Sequence, residues 1–89
     1  MAKHEVYAVY DSKIQSYDSP RLFLTRGQAL RSWAEGCNTP DTPFHKYPED
    51  FSFMQLGVYD DQTGHVENLD APLNLGLASQ FKTANVRSS

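Results

Sequence analysis

The chain has 89 residues, of which 39% are hydrophobic and 21% charged, and its formal net charge is −3. This composition is typical of one small globular domain, and no apolar run approaches the roughly 18 residues of a membrane span. The single cysteine excludes an intrachain disulfide and fits a reducing compartment, and the acidic balance argues against binding nucleic acid with the whole surface.

Two strands are predicted near the start of the chain. Residues 4–10 (HEVYAVY) are rich in Val and Tyr and apolar on both faces, so we expect a central strand that is covered on two sides. Residues 17–20 (YDSP) break this pattern, and residues 21–24 (RLFL) predict a short second strand. The first residues, MAKHEVYAVYD, lack the features of a secretory signal.

One helix follows the second strand. Thr25 with Gln28 three positions later is the pattern of a capping box, which starts helices. Gly36 and Asn38 are stop signals. The apolar stripe between them comprises Leu30, Trp33 and Cys37. The side chains expected to point to water are Arg26, Arg31 and Glu35.

The second half of the chain predicts a loop and a hairpin. Residues 39–50 form a Pro-rich loop, in which residues 47–50 are able to close as a single helical turn. Residues 51–59 predict the strongest strand, and residues 60–64 (DDQTG) a turn in which Gly64 is left-handed. The returning strand is predicted at residues 65–69.

The order of elements is β-β-α-β-β with a short C-terminal element. It predicts an α+β fold: a small antiparallel sheet with one main helix packed on one face. Residues 73–81 are ambiguous between a last strand and a short helix. We expect a single domain over residues 1–82 and a flexible tail over residues 83–89; a homo-oligomer fits this size as well as a monomer does.

Catalytic and metal chemistry are not favoured by the sequence. The three histidines, at positions 4, 45 and 65, have no zinc-site spacing, so no metal or cofactor is predicted. Cys37 lies on the apolar stripe, which favours a buried thiol over a nucleophile. The turn at residues 60–64 fits a hairpin better than a calcium loop, and Glu49 with Asp50 fits a solvated loop better than an acid–base pair. Because no nucleophile–base pair is found, we do not expect an enzyme.

Charge is distributed unevenly along the chain. Residues 1–35 hold five basic groups and four acids, residues 36–72 hold one basic group and seven acids, and residues 73–89 hold two basic groups. This asymmetry permits a local phosphate-contacting face. The start of the helix, with Arg26 and Gly27, is the place where we expect phosphate contact first.

Six blocks of the sequence resemble the phage open reading frame five family, the small nonstructural proteins of gokushoviruses in the Microviridae. The blocks cover most of the chain, and the fourth and sixth, in this order and spacing, are the most specific. They are Tyr7–Lys13, Phe23–Ala29, Asn38–Thr42, Tyr47–Phe51, Leu56–Gly57 and Tyr59–Gly64. The resemblance implies a non-virion protein that acts in the cytoplasm of the host bacterium, in replication of the viral genome and production of its single strand. It supplies no catalytic residue.

Two mechanisms are compatible with this role. In the first, the domain binds single-stranded viral DNA through cations that contact phosphates and one ring that stacks on a base. The residues predicted for this site are Lys3, Lys13, Tyr17, Arg21, Arg26 and Arg31. In the second, the protein is an adaptor that binds the phage replication initiator, a host replication protein or the capsid precursor, with loop 39–50 and hairpin 59–65 as its recognition surface.

Overall fold

A computed structural model of the chain describes residues 3–82, within which five strands and three helices are found. The strands are β1 (Lys3–Asp11), β2 (Ser16–Tyr17), β3 (Arg21–Phe23), β4 (Phe51–Asp60) and β5 (His65–Leu77), and the helices are α1 (Arg26–Cys37), α2 (Pro43–Lys46) and α3 (Ala78–Phe81). The predicted α+β class, with an antiparallel sheet and one main helix, is confirmed. The predicted tail at residues 83–89 lies outside the described residues.

The sheet is antiparallel throughout and has β1 near its centre. Its strand order is β2-β1-β4-β5, and β3 also pairs with β1. Since β4 runs along the whole of one side of β1, the short strands β2 and β3 share the other side. The central position predicted for the first strand is confirmed.

The N-terminal cap of α1 holds as predicted, with one change in its detail. The hydroxyl of Thr25 accepts a hydrogen bond from the backbone N–H of Gln28 at 3.1 Å. The side chain of Gln28 does not reach back to Thr25; its Oε1 accepts from the backbone N–H of Leu24 at 3.3 Å. The helix still gains the satisfied first-turn donor that a cap supplies.

Two short elements in the loop regions were not predicted. Strand β2 was not predicted, because two residues beside a turn carry no alternating pattern. Residues 47–50 close as a single turn, as expected, with the N–H of Asp50 donating to the carbonyl of Tyr47 at 3.0 Å, and helix α2, which was not predicted, begins four residues earlier. Its first residue is Pro43, and the Thr42 side chain accepts from His45 N, so both signals favour the earlier start.

Strand β5 is longer than the predicted returning strand at residues 65–69. Asn68 pairs with Gly57 and Leu73 pairs with Gln55, so residues 69–72 leave the ladder before pairing resumes. The ambiguous segment 73–81 therefore contains both alternatives: it is strand to Leu77 and then helix α3.

The core lies between the sheet and the helices and is built from stacked aromatic rings. The Phe53 ring is parallel to the Tyr7 ring at 4.9 Å and to the Trp33 ring at 5.1 Å. Fully buried neighbours come from β1, α1 and α3. They are Val9, Ala29, Cys37 and Ala78. The prediction that Trp33 and Cys37 face the core is confirmed.

The second face of the sheet carries no helix within residues 3–82, which corrects the prediction that β1 is covered on two sides. We call it the open sheet face. Its larger apolar side chains are Val6, Tyr10, Tyr17, Leu22, Met54, Tyr59 and Val66. None of them belongs to the buried core, and Leu22 and Val66 are 50% and 53% exposed. One 12-residue helix covers a single face of a five-stranded sheet, so the other stays accessible.

Candidate functional site

The two predicted lysines lie at opposite ends of β1. Lys3 begins the strand, and Lys13 lies in the turn after its last residue, Asp11. At about 3.3 Å per residue, the strand alone separates them by about 26 Å. Lys3 pairs in register with Asp60, so it shares its surroundings with a carboxylate.

Arg21 is held by an acidic neighbour. Its Nη2 atom donates to Asp18 Oδ2 at 2.7 Å, and the other oxygen of this carboxylate accepts from the backbone N–H of Val9 at 2.8 Å. The pair fixes the segment between β2 and β3 against β1. A phosphate at Arg21 would compete with this carboxylate, which weakens the case for direct contact.

Arg26 and Arg31 point to different sides of α1. Arg26 Nη2 donates to the buried Gln55 side chain at 3.0 Å, so its guanidinium turns toward the sheet. Residue 31 is five positions, about 140° of helix, further on, away from the stripe of buried Ala29, Trp33 and Cys37. The Arg31 side chain is exposed. The two cations therefore do not form one phosphate-binding surface.

The guanidinium of Arg26 also lies near a buried phenol. Tyr7 Oη donates to Glu5 Oε1 at 2.6 Å. Burial, and then the hydrogen bond to Glu5, raise the pKa of Tyr7, while Arg26 opposes them to a smaller extent. This cluster ties the start of α1 to β1 and β4, which is a structural role for Arg26.

Tyr17 is exposed, as the stacking role predicted for it requires. It lies on β2 with 42% of its surface accessible, and its ring is 4.9 Å from the Tyr10 ring. The pair stands at one end of the open sheet face, beside the turn that carries Lys13. Tyr17 on β2 and Lys13 in the turn between β1 and β2 belong to the same hairpin.

The two segments predicted as an adaptor surface do not form one surface. Loop 39–50 precedes the first residue of β4, and the turn of hairpin 59–65 follows its last residue. Ten residues of strand place them about 30 Å apart. Each segment must therefore be considered alone.

Loop 39–50 forms a groove with the turn between β1 and β2, and we call it the loop groove. It consists of two concave parts of about 190 and 390 Å³ that share Asp11, Pro43 and Phe51. Two apolar side chains at its border are unusually accessible: Ile14 is 70% and Tyr47 is 61% exposed. Tyr47 belongs to loop 39–50, which was predicted as a recognition surface, whereas Ile14 was not predicted, although an isoleucine between polar residues in a turn is a usable signal.

The walls of the loop groove are joined by hydrogen bonds. Ser12 donates to the backbone carbonyl of Asp50 from both its N–H, at 2.9 Å, and its hydroxyl, at 3.1 Å. The hydroxyl of Thr42 donates to the carbonyls of Gly36 and Thr39. Lys82 Nζ donates to the carbonyl of His45 at 3.0 Å. The groove is therefore a preformed shape, and binding there requires little ordering of the loop.

The border of the loop groove is more acidic than basic. Asp11, Asp18 and Asp50 line it together with Lys13, and because Asp18 is paired with Arg21, two further carboxylates face one lysine. Carboxylates at such a border favour a partner that carries lysine or arginine beside its apolar anchors.

The described part of the chain offers neither a metal site nor an accessible thiol. Residues 3–82 contain no group of three or more His, Cys, Asp and Glu side chains placed to hold a metal ion. Cys37 is fully buried, as predicted, and burial raises the pKa of its thiol to about 11. His45 Nδ1 is 3.1 Å from the backbone oxygen of Cys37, so the ring is engaged with the backbone.

We expect Cys37 to resist alkylation in the folded protein. At pH 8 a thiol with its pKa near 11, rather than near 9, has about 100-fold less reactive thiolate, and burial slows access further. Iodoacetamide labelling followed by mass spectrometry in buffer and in urea measures the ratio of the two labelling rates. Equal labelling rates in the two solvents would contradict the burial.

The same raised pKa makes the stability of the fold depend on pH. Because the pKa of Cys37 is higher in the folded protein, the contribution of its thiol to stability is intact below about pH 9 and is lost as the pH rises toward 11.

These features define a small α+β protein whose two candidate binding surfaces are the apolar loop groove and the open sheet face. Among residues 3–82, no helix is both long and apolar enough to cross a membrane. The family model described as "Phage ORF5 protein" matches residues 4–81, so the chain belongs to this phage family. A curated relative, "Protein ORF5" of Chlamydia phage 1, is 32% identical over 69 residues, which cover 73% of this chain and 72% of the relative. No solved structure matches the chain.

Proposed function

We propose that this phage ORF5 protein is a non-enzymatic nonstructural protein of viral genome replication in the host bacterial cytoplasm, and that it acts as an adaptor. The role in replication rests on the family resemblance. The adaptor mechanism rests on one structural observation: the loop groove is preformed, apolar and bordered by accessible Ile14 and Tyr47.

The arrangement of cations supports the adaptor over direct DNA binding. Non-specific binding to single strands draws on several lysines and arginines along one groove. Here Arg21 is paired with Asp18, Lys3 lies opposite Asp60, and Arg26 and Arg31 diverge. The phosphate-contacting surface that the sequence suggested is thus divided among separate regions.

The apolar lining and the acidic border of the loop groove predict which side chains its partner carries. Apolar side chains of the partner fill the two concave parts, and lysine or arginine beside them meets the acidic border. The phage replication initiator, a host replication protein and the capsid precursor are the candidate proteins. A short segment suffices, because the groove spans one end of a small domain.

Shortening the two exposed apolar side chains tests this proposal. In Ile14→Ser with Tyr47→Ser, we expect the partner to bind more than about 100-fold more weakly, since two anchors are together worth about 3 kcal/mol. Leu73→Ser is the matched control, because Leu73 is 41% exposed on β5 and outside the groove. Both variants alter accessible positions, so their far-ultraviolet circular dichroism should match that of the unaltered protein.

The measurement is affinity capture from phage-infected cells, with and without nuclease, followed by titration of the purified partner. We expect capture to survive nuclease, to persist with Leu73→Ser and to be lost with the double variant. Loss of every partner after nuclease treatment, or equal capture by the double variant, would contradict the adaptor.

A second candidate, direct binding of single-stranded DNA, is favoured by one observation. The exposed ring of Tyr17 is 4.9 Å from the half-buried ring of Tyr10, in the hairpin that carries Lys13, which offers a stacking surface with one cation in the adjoining turn. Titration of a labelled single-stranded oligonucleotide in low salt tests it against duplex DNA. Binding that falls with rising salt and is weakened by Tyr17→Ala and Lys13→Ala would replace the adaptor proposal. Binding unchanged in Arg26→Ala and Arg31→Ala would remove those two residues from the site.

A further inference from the structure

No Asp, Glu, Lys or Arg at a paired strand position lies on the open sheet face, and the carboxylate of Asp61 reaches only its border, where Oδ2 is 2.9 Å from the Nε2 atom of His4. The strand register places every paired Asp, Glu, Lys and Arg on the helix side of the sheet. These are Lys3, Glu5, Asp11, Arg21, Asp60 and Glu67. The open face carries instead Val6, Leu22, Met54, Tyr59 and Val66, with Asn68 and Asn74 among its polar members. In an antiparallel sheet, the face that meets water normally carries polar side chains. The apolar character of this face and the confinement of paired charges to the helix side therefore need a cause.

We propose that the open sheet face is the interface of a homodimer, in which it packs against the same face of a second copy. A two-fold interface packs the same patch of both copies together, so a patch with a strong net charge would repel itself, whereas this patch carries no Asp, Glu, Lys or Arg at a paired position. The face also lacks the cations that DNA would require. Two sheets packed in this way lie about 10 Å apart with their strands nearly aligned.

The area of the face reaches the lower end of what a dimer interface buries. Four strands at about 4.8 Å spacing and about 30 Å of strand length give a footprint of roughly 500–600 Å² before side-chain relief is counted. A standard interface buries about 800 Å² on each partner. The tyrosines at its two ends, Tyr10 with Tyr17 and Tyr59 beside His4, are residues that interfaces favour.

Pairing through the edges of the sheet is less favourable than pairing through this face. On the β5 edge, Pro72 lacks an N–H donor and residues 69–72 leave the ladder beside Asp70. On the other edge, β2 and β3 are two and three residues long. Within the described chain, the C-terminal helix α3 packs on the opposite side, where Phe81 O accepts from Asn38 Nδ2 at 3.0 Å.

Sedimentation equilibrium over a wide concentration range, with methyl-labelled Met54 observed by NMR, tests the dimer. We expect twice the chain mass at high concentration and a Met54 methyl shift that follows the same curve. Val66→Lys should raise the dissociation constant about 100-fold, because each copy buries one uncompensated charge. Leu73→Lys on the same strand should leave it unchanged, since Leu73 pairs with Gln55 on the helix side.

The mass of one chain at every concentration would overturn the proposal. The open sheet face would then be a binding surface for a different protein. A dimer weakened equally by Val66→Lys and Leu73→Lys, or a constant Met54 shift, would also overturn it. Leu22→Lys on β3 supplies a second test should Val66→Lys fail to fold. The result is independent of the loop groove, because Ile14→Ser with Tyr47→Ser leaves the open sheet face intact.

Discussion

Phe53→Ala should leave most of the protein unfolded at modest urea concentrations, with a loss of about 3–5 kcal/mol in the free energy of unfolding. The Phe53 ring is 2% exposed and lies between the rings of Tyr7 on β1 and Trp33 on α1. Its removal leaves a cavity where the sheet meets the main helix. A domain of this length is stable by only about 5–10 kcal/mol, so the loss removes a large share.

Urea denaturation followed by the fluorescence of Trp33, the single tryptophan, measures this loss directly. Phe53→Leu keeps most of the volume and should cost less than about 1.5 kcal/mol. Tyr47→Ala removes a ring that is 61% exposed and should change stability by less than about 0.5 kcal/mol. A Phe53→Ala protein within about 1 kcal/mol of the unaltered chain would mean that the stack does not organise the core.

Gly57→Ala should destabilise the protein by at least about 2 kcal/mol, although it adds one methyl group. A Cβ atom at Gly57 would lie 2.4 Å from the backbone oxygen of Glu67 and 3.1 Å from the Asn68 Cα atom. Both are backbone atoms of β5, so relief requires β4 and β5 to separate. Since Gly57 lies on the open sheet face, this variant should also weaken the proposed dimer.

Gly27→Ala is the matched control for Gly57→Ala. Its Cβ would meet only the Thr25 hydroxyl, at 3.8 Å, within the first turn of α1. Alanine loses less backbone entropy in a helix than glycine, so we expect a gain of about 0.5–1 kcal/mol. Thermal unfolding of the two variants side by side measures the contrast. Similar melting temperatures for both would contradict the close approach of β4 and β5.

The two proposals give different functions to two surfaces: the loop groove binds a partner protein, and the open sheet face forms the dimer. In the proposed dimer the open faces meet, and the part of each loop groove that is lined by Tyr47 and Phe51 stays accessible, because Phe51 lies on the helix side of β4. Two grooves in one particle would bind a repeated partner more strongly than one. The two surfaces share Tyr17, but the variants that test them change other residues, so each proposal is tested by itself.

Local signals in the sequence determined the elements whose residues interact with near neighbours. The Thr25 cap and the spacing of Trp33 and Cys37 placed α1 correctly, because capping and helical periodicity are properties of adjacent turns. Gly64 has the predicted left-handed conformation, with φ of +76°, because a turn of this kind requires it. The buried state of Cys37 followed from the same helical stripe.

Only the tertiary structure decided which surfaces those elements form. Charge counted along the chain suggested one basic region, but strand pairing sends Lys3 and Lys13 to opposite ends of β1 and sets Asp18 against Arg21. Ile14 and Tyr47 are 33 positions apart in the sequence and border one groove because Ser12 bonds to Asp50. The physical reason is that the register of the sheet, and not sequence distance, determines which side chains share a surface.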